Sequence, residues 1–380
     1  MKKNLKKVLS IGLISAMVVT SLAGCGKKSE SSNSSEFLIG GLGPLSGPNA
    51  SYGTSVKQGA QIAVEEINAA GGVKVGDNTL TLKLDFADDE ATGDTALSAY
   101  NSLMDKGIQA ILGTVTSGAG LAIAEQTNTD GIFQITPSGS ALALTDYPNQ
   151  FRLCFTDPFQ GKTMADYAID QLGYTKIAVI YNNSDEYSTG VMEAFVDEIV
   201  AKGGEVVAKE AFVSEAVDFN TQLTTIKGTD AQAIYVPAYY QDAAYITTQA
   251  AELGMNLPFL GSDGWDGVIA KVVDPAVLEG AVFLSPFYAA DTAPEAQAFV
   301  KKYNEKYKAD PDQFAADGYD TVYVMKAALE KAQSTESADL IAAMPEIQVK
   351  GLTGDMTFVD RQATKDAKFV EITNGQYTSK

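Results

Sequence analysis

The chain has 380 residues, is 45% hydrophobic and 20% charged, and carries a formal net charge of −20 with no histidine. The missing histidine excludes Ser-His-Asp and Cys-His catalysis and every His-ligated metal site, and two cysteines are too few for a thiolate zinc site. Such acidity repels phosphate backbones and anionic headgroups, so no nucleic-acid partner is expected.

Lys2, Lys3, Lys6 and Lys7 precede a nearly apolar run from Val8 to Val19, and small residues then lead to Cys25, the layout of a secretory signal. The run falls short of the roughly 20 apolar residues that span a bilayer comfortably. Leu22-Ala23-Gly24-Cys25 resembles the lipobox of bacterial lipoproteins. That resemblance implies that residues 1–24 are a cleaved signal and that Cys25 becomes a lipidated amino terminus; an unmodified cysteine after an ordinary signal is the competing reading. Residues 25–35 are too polar to bury and read as a flexible tether. Removing 24 residues from 380 leaves 356, with a net charge of −24 because the four lysines go. That length exceeds what one core supports, so two lobes are expected.

Beyond the tether, β-type runs alternate with amphipathic segments. Phe37 to Gly40 reads as a strand; Val56, Ala60, Ala63 and Ile67 then mark one face of a helix that Gly71-Gly72 stops. Strands follow at Leu80–Phe86, Ala110–Leu112, Ile132–Ile135, Ile177–Tyr181, Val206–Phe212, Ala233–Val236 and Phe259-Leu260, with helices between them. This alternation predicts an α/β fold of two lobes, each a parallel sheet flanked by helices. Chain crossings are expected near Phe151–Asp157 and Gly280–Pro286, and a third would give a three-strand hinge. The expected boundaries are 36–156 and 285–355 for one lobe, 157–284 and 356–380 for the other. Cys154, in an apolar stretch, reads as a packed thiol, and Asp88-Asp89-Glu90 as a solvated turn rather than a hydrolytic carboxylate pair.

Ligands of parallel sheets sit beyond the carboxyl ends of strands. There the sequence places two turns that open helices, Gly113–Gly118 and Thr136–Ser140. Their hydroxyls and amides suit a small anion such as a carboxylate, although the same residue types serve ordinary N-caps. Asp263, after the Phe259-Leu260 strand, supplies the opposite charge, beside Trp265, the only tryptophan. Tyr52, Tyr187 and Tyr239 stand at other strand ends. The set describes a pocket for a small zwitterion and holds no nucleophile with a base beside it.

Ile39 to Gly47, Tyr52-Gly53, Ile67 to Gly72 and Thr136-Pro137-Ser138 resemble the branched-chain amino-acid-binding proteins of ABC importers, over essentially residues 36–380. The resemblance implies a type I periplasmic-binding-protein clamshell that closes on its ligand. Its carboxylate-binding turns fall on Val115, Thr116 and Ser117 and on Ser138, Gly139 and Ser140; its ammonium anchor falls on Asp263. Its aromatic walls fall on Tyr52, Tyr187, Tyr239 and Phe314, with Trp265 able to fill part of the side-chain pocket. The anchor is Asp here rather than the longer Glu of leucine-type members, which leaves room for a smaller, polar or non-standard amino acid, and the family's N-lobe disulfide cannot form. The resemblance thus implies a binding protein without enzymatic turnover, cofactor or metal. It is expected to be a monomer anchored by lipid at the extracytoplasmic face of the cell membrane, delivering a free amino acid to ABC permease subunits. A sensory receptor for a small amide or carboxylate using the same clamshell is the alternative.

Overall fold

The computed structural model describes residues 34–380; the signal, Cys25 and residues 26–33 lie outside the described residues. The expected tether ends earlier than residue 35, because Ser34 and Ser35 already pair with Thr79 and Leu80 in the first strand.

The chain opens with β1 (Ser34–Gly43), α1 (Ala50–Ala69), β2 (Val73–Val75), β3 (Asn78–Asp88), α2 (Gly93–Met104), β4 (Ala110–Leu112), α3 (Ser117–Asp130), β5 (Phe133–Thr136) and β6 (Gln150–Arg152). It then crosses to α4 (Asp157–Asp166), β7 (Lys176–Asn182), α5 (Glu186–Ala201), β8 (Glu205–Phe212), α6 (Asn220–Lys227), β9 (Ala233–Val236), α7 (Tyr240–Glu252), β10 (Phe259–Gly261) and β11 (Val282–Ser285). A second crossing leads back to α8 (Pro294–Tyr307), α9 (Gln313–Ala332), α10 (Ser337–Ala343), β12 (Gln348–Gly351), β13 (Gly354–Val359) and β14 (Gln362–Ala363). A third brings in β15 (Lys368–Thr373) and β16 (Gln376–Ser379).

Two sheets result, in the orders β12-β13-β14-β6-β5-β4-β1-β3-β2 and β16-β15-β11-β10-β9-β7-β8. Their centres are parallel, as the strand–helix rhythm requires, but β2, β12–β14, β15 and β16 add antiparallel edges, so both sheets are mixed rather than purely parallel. The expected return to the second lobe at residue 356 is also corrected. β13 stays in the first sheet because a tight hairpin folds it onto β12, and Asp320 of α9 holds that turn by accepting the Leu352 and Thr353 amides at 2.9 Å each. Strand-type residues announce a strand without saying which sheet receives it.

Alternation in the central strands explains why both faces of each sheet are covered. Ala110 and Leu112 join the core under α1 and α9, whereas Ile111 joins the cluster under α2 and α3. In the second sheet Ile234 and Val236 face α7, while Ala233 and Tyr235 pack with Phe195 of α5. Asp89 departs from the expected solvated turn. It is fully buried behind β3, one oxygen accepting from the Ala91 amide, and burial raises its carboxyl to about 7.

Helices α1 and α9 run in backbone contact. A Cβ on Gly59 would lie 1.8 Å from the Ala315 carbonyl oxygen, and one on Gly318 2.2 Å from that of Val56. Backbone on the far side has no rotamer to give way. Gly59→Ala should therefore destabilise the protein by about 1–3 kcal/mol, the usual cost of overpacking. Urea unfolding will show it as a lowered midpoint; an unchanged midpoint would mean that the helices slide apart freely.

Candidate functional site

The turns after β4 and β5 are stitched to one another. The Thr136 hydroxyl donates to Thr114 O (2.7 Å) and accepts from the Gly139 amide (2.8 Å), while the Ser138 hydroxyl donates to Val115 O (2.7 Å). Ser117, the first residue of α3, accepts the amides of Ser140 (3.2 Å) and Ala141 (3.1 Å) on its hydroxyl oxygen. Most of the hydroxyl groups that suggested two anion cradles thus build one rigid edge. What remains over is the functional content. With both lone pairs of Ser117 Oγ engaged, its O–H can act only as a donor. Thr116 Oγ1 and Ser140 Oγ are buried without a partner. The amino-terminal end of α3 adds amides that no helix bond uses, and a positive dipole end.

Asp263 faces this edge from the turn after β10. Its side chain accepts the Tyr187 hydroxyl at 2.6 Å, its amide donates to Gln160 Oε1 at 3.0 Å and its carbonyl accepts Gln313 Nε2 at 2.6 Å. The Tyr187 oxygen in turn accepts the Gly264 amide at 2.9 Å, which fixes the ring. Burial raises the Asp263 carboxyl to about 6, and only neutral donors, Tyr187 first, pull it back. The carboxylate therefore enters the cleft without a cation to match it.

Aromatic rings close the sides. Tyr187 and Tyr239 stack at 5.0 Å with planes 7° apart, and Tyr52 lies 4.3 Å from Phe314 and 4.6 Å from Tyr240. The Tyr52 hydroxyl, carried by α1, donates to Gly264 O and accepts the Tyr240 amide, so it joins the first half of the molecule to the second. Together these groups enclose a cavity of about 10 Å³, on the scale of one water molecule.

Tyr52, Val115, Thr116, Ser117, Ser138 and Ser140 line the cavity from one side, with Tyr187, Tyr239, Asp263 and Phe314 completing it. Two expected residues do not. The Gly139 amide is spent on Thr136, and Gly139 does not line the cavity. Trp265 is fully buried behind β10, its indole N–H on Val236 O at 2.7 Å and its ring against Gly261; it is core, not wall. Gly264, Gln160 and Gln313 were not expected. Gln160 and Gln313 act on a turn 103 and 50 residues away, so no local pattern marks them.

A larger groove of about 810 Å³ lies beside the second and third crossings; in it Lys302 pairs with Glu66 and Lys368 with Asp291, and none of its side chains is buried without a partner.

A two-sheet α/β molecule with three crossings and a polar cleft between the sheets defines a class. The chain belongs to the periplasmic binding protein family, whose model matches residues 36–376. It is 30% identical over 309 residues to the Leu/Ile/Val-binding protein homolog 3 of Brucella melitensis, covering 81% of this chain and 82% of that one. Among solved structures it is similar to the branched-chain amino acid transporter substrate-binding protein LivJ from Streptococcus pneumoniae in complex with isoleucine. There the TM-score is 0.84 at 31% identity, over 91% of this chain and 98% of the other. The leucine-binding protein LivK from Thermotoga maritima also gives 0.84, at 28% identity over 90% and 97%. The fold is that of type I periplasmic binding proteins.

Proposed function

We propose that the protein is the extracytoplasmic substrate-binding component of an ABC importer, capturing a free amino acid between its two halves and delivering it to a membrane permease. The observation that carries this is the opposition of an unpaired, buried Asp263 to the spare donors of Ser117, Thr116 and Ser140 across one cavity. A zwitterion supplies an ammonium to the first and a carboxylate to the others, and no nucleophile with a base stands between them to turn it over. Relatives named for leucine, isoleucine and valine support an aliphatic or other small amino acid. Because the closed cavity is so small, binding proceeds through an open form, and the ligand shifts the population toward closure. The lipobox-like Cys25 and the tether that follows it support attachment by lipid at the extracytoplasmic face of the membrane.

A thermal-shift screen of amino acids, small amides and aromatic acids tests the reading. At a concentration 100 times Kd, a ligand that binds only the folded state adds about 2.7 kcal/mol. At least one amino acid should raise the midpoint by several degrees while its amide does not; silence from every amino acid would overturn the assignment. Ser117→Ala should weaken binding by roughly tenfold, since one donor to a charged group is lost while the helix amides remain. Calorimetry showing no change would remove Ser117 from the carboxylate site.

A further inference from the structure

Arg152 ends β6 directly behind the hydroxyl edge and is fully buried. Its guanidinium Nη1 donates to Ser140 O at 2.9 Å, and Nη2 donates to Ala141 O at 2.6 Å and Leu142 O at 3.2 Å. Its Nε has no partner, and among the described residues no carboxylate forms an ion pair with it. A buried cation spent on three neutral carbonyls is costly unless its charge serves something else.

The peptide unit between Ser140 and Ala141 shows what that is. Its carbonyl accepts from Arg152, and its N–H donates to Ser117 Oγ. Hydrogen bonds in series polarise one another, so the guanidinium draws electron density back along this chain and leaves the Ser117 O–H a stronger donor. Asp157 and Asp146 are the acids whose charge reaches the guanidinium, and the Asp157 amide also donates to Ser140 O. Burial raises the Asp157 carboxyl to about 8, against the pull of Arg152, which weakens its hold on the guanidinium charge.

We propose that Arg152 is the positioning residue for the ligand's carboxylate: through the Ser140–Ala141 peptide it orients and polarises Ser117, and its charge sets the positive pole of a site whose negative pole is Asp263. This rests on the reading of the cavity as an amino-acid site. It makes the site a fixed dipole matched to a zwitterion, and it predicts discrimination against ligands that keep the ammonium and lose the carboxylate charge.

The test is the ratio of affinities for an acid and its amide. L-isoleucine, L-alanine and their carboxamides are titrated calorimetrically into wild type, Arg152→Met and Arg152→Lys. Wild type should prefer the acid; Arg152→Met should lower that preference by about tenfold or more, the weight of a charge-assisted hydrogen bond. Arg152→Lys, which keeps the charge without the fork, should fall between. A merely structural role would weaken acid and amide in proportion, and an unchanged ratio in a folded variant overturns the proposal. Should Arg152→Met fail to fold by circular dichroism, Arg152→Lys decides alone, an unchanged ratio again being fatal. Should wild type bind neither, the amino acid that the thermal-shift screen finds and its carboxamide take their place, and silence from every amino acid there would overturn the amino-acid reading on which the proposal stands.

Discussion

Asp263→Asn is expected to abolish ligand binding while leaving the unliganded protein as stable as before, or more so. Asn keeps the acceptor for the Tyr187 hydroxyl, and the bonds from the backbone of residue 263 to Gln160 and Gln313 do not involve the side chain. What is lost is the charge and one acceptor oxygen. Truncating one partner of a buried, hydrogen-bonded charge pair costs about 2–5 kcal/mol, roughly thirty-fold to several thousand-fold in affinity. The unliganded form, by contrast, is relieved of a buried carboxylate that no cation matches. Calorimetry and thermal unfolding separate the two effects: binding lost with the midpoint held supports the assignment, and binding retained sinks it. The same carboxyl sets a pH dependence. Its folded value of about 6 lies above the ordinary 3.8, so it contributes stability to the unliganded protein that is fully present below pH 4 and is lost as pH rises through 6. Ligand affinity runs the opposite way. The ammonium needs the ionised form, so affinity should fall by up to about tenfold per pH unit below 6, with proton release on binding near that pH.

The second large effect belongs to the third crossing. Lys365 and Asp317 form an ion pair at 3.0 Å with both side chains essentially inaccessible, and the Lys365 ammonium also donates to the Thr353 hydroxyl. Burial lifts the Asp317 carboxyl to about 7 against the pull of Lys365. Lys365→Met strands that carboxylate, and breaking a buried pair by removing one partner typically costs about 3–5 kcal/mol. Without its cation Asp317 takes up a proton more readily, so the loss should be largest near pH 8.5 and smaller near pH 6. Unfolding titrations at the two pH values measure it. A loss independent of pH would assign the effect to packing of the lysine stem rather than to the carboxylate.

The sequence reveals strands and helices readily because central strands with both faces covered, such as Ala110–Leu112, are short apolar runs between amphipathic helices. It is silent where the deciding contact is distant. Nothing local to Met356–Val359 tells that Asp320 pins its hairpin to the first sheet. The cleft residues at strand ends are visible for the opposite reason, since a parallel sheet places functional turns at predictable points. Trp265 misleads because a tryptophan next to a strand-end aspartate looks like a wall; three residues of 3₁₀ turn are enough to swing it into the core. Gly139 misleads because a free amide and one already bonded to Thr136 have the same one-letter code. Arg152 is invisible as a functional residue, for its role depends on carbonyls that only the folded turn presents.

The order of the strands also bears on how the molecule is made. β15 and β16 cover the edge of β11, and Tyr377 in the last strand packs on Phe283 and accepts the Gly267 amide beside the Asp263 turn. The ribosome releases these residues after every other strand of the second sheet. A nascent chain that has everything up to residue 363 still shows Val282, Phe283 and Leu284 as an open edge, the kind that pairs with strangers. The turn that carries Asp263, already held by Gln160, Gln313 and Tyr187, gains a further brace when Tyr377 arrives. Synthesis that stops before β15 should therefore leave this edge open to chaperones and proteases.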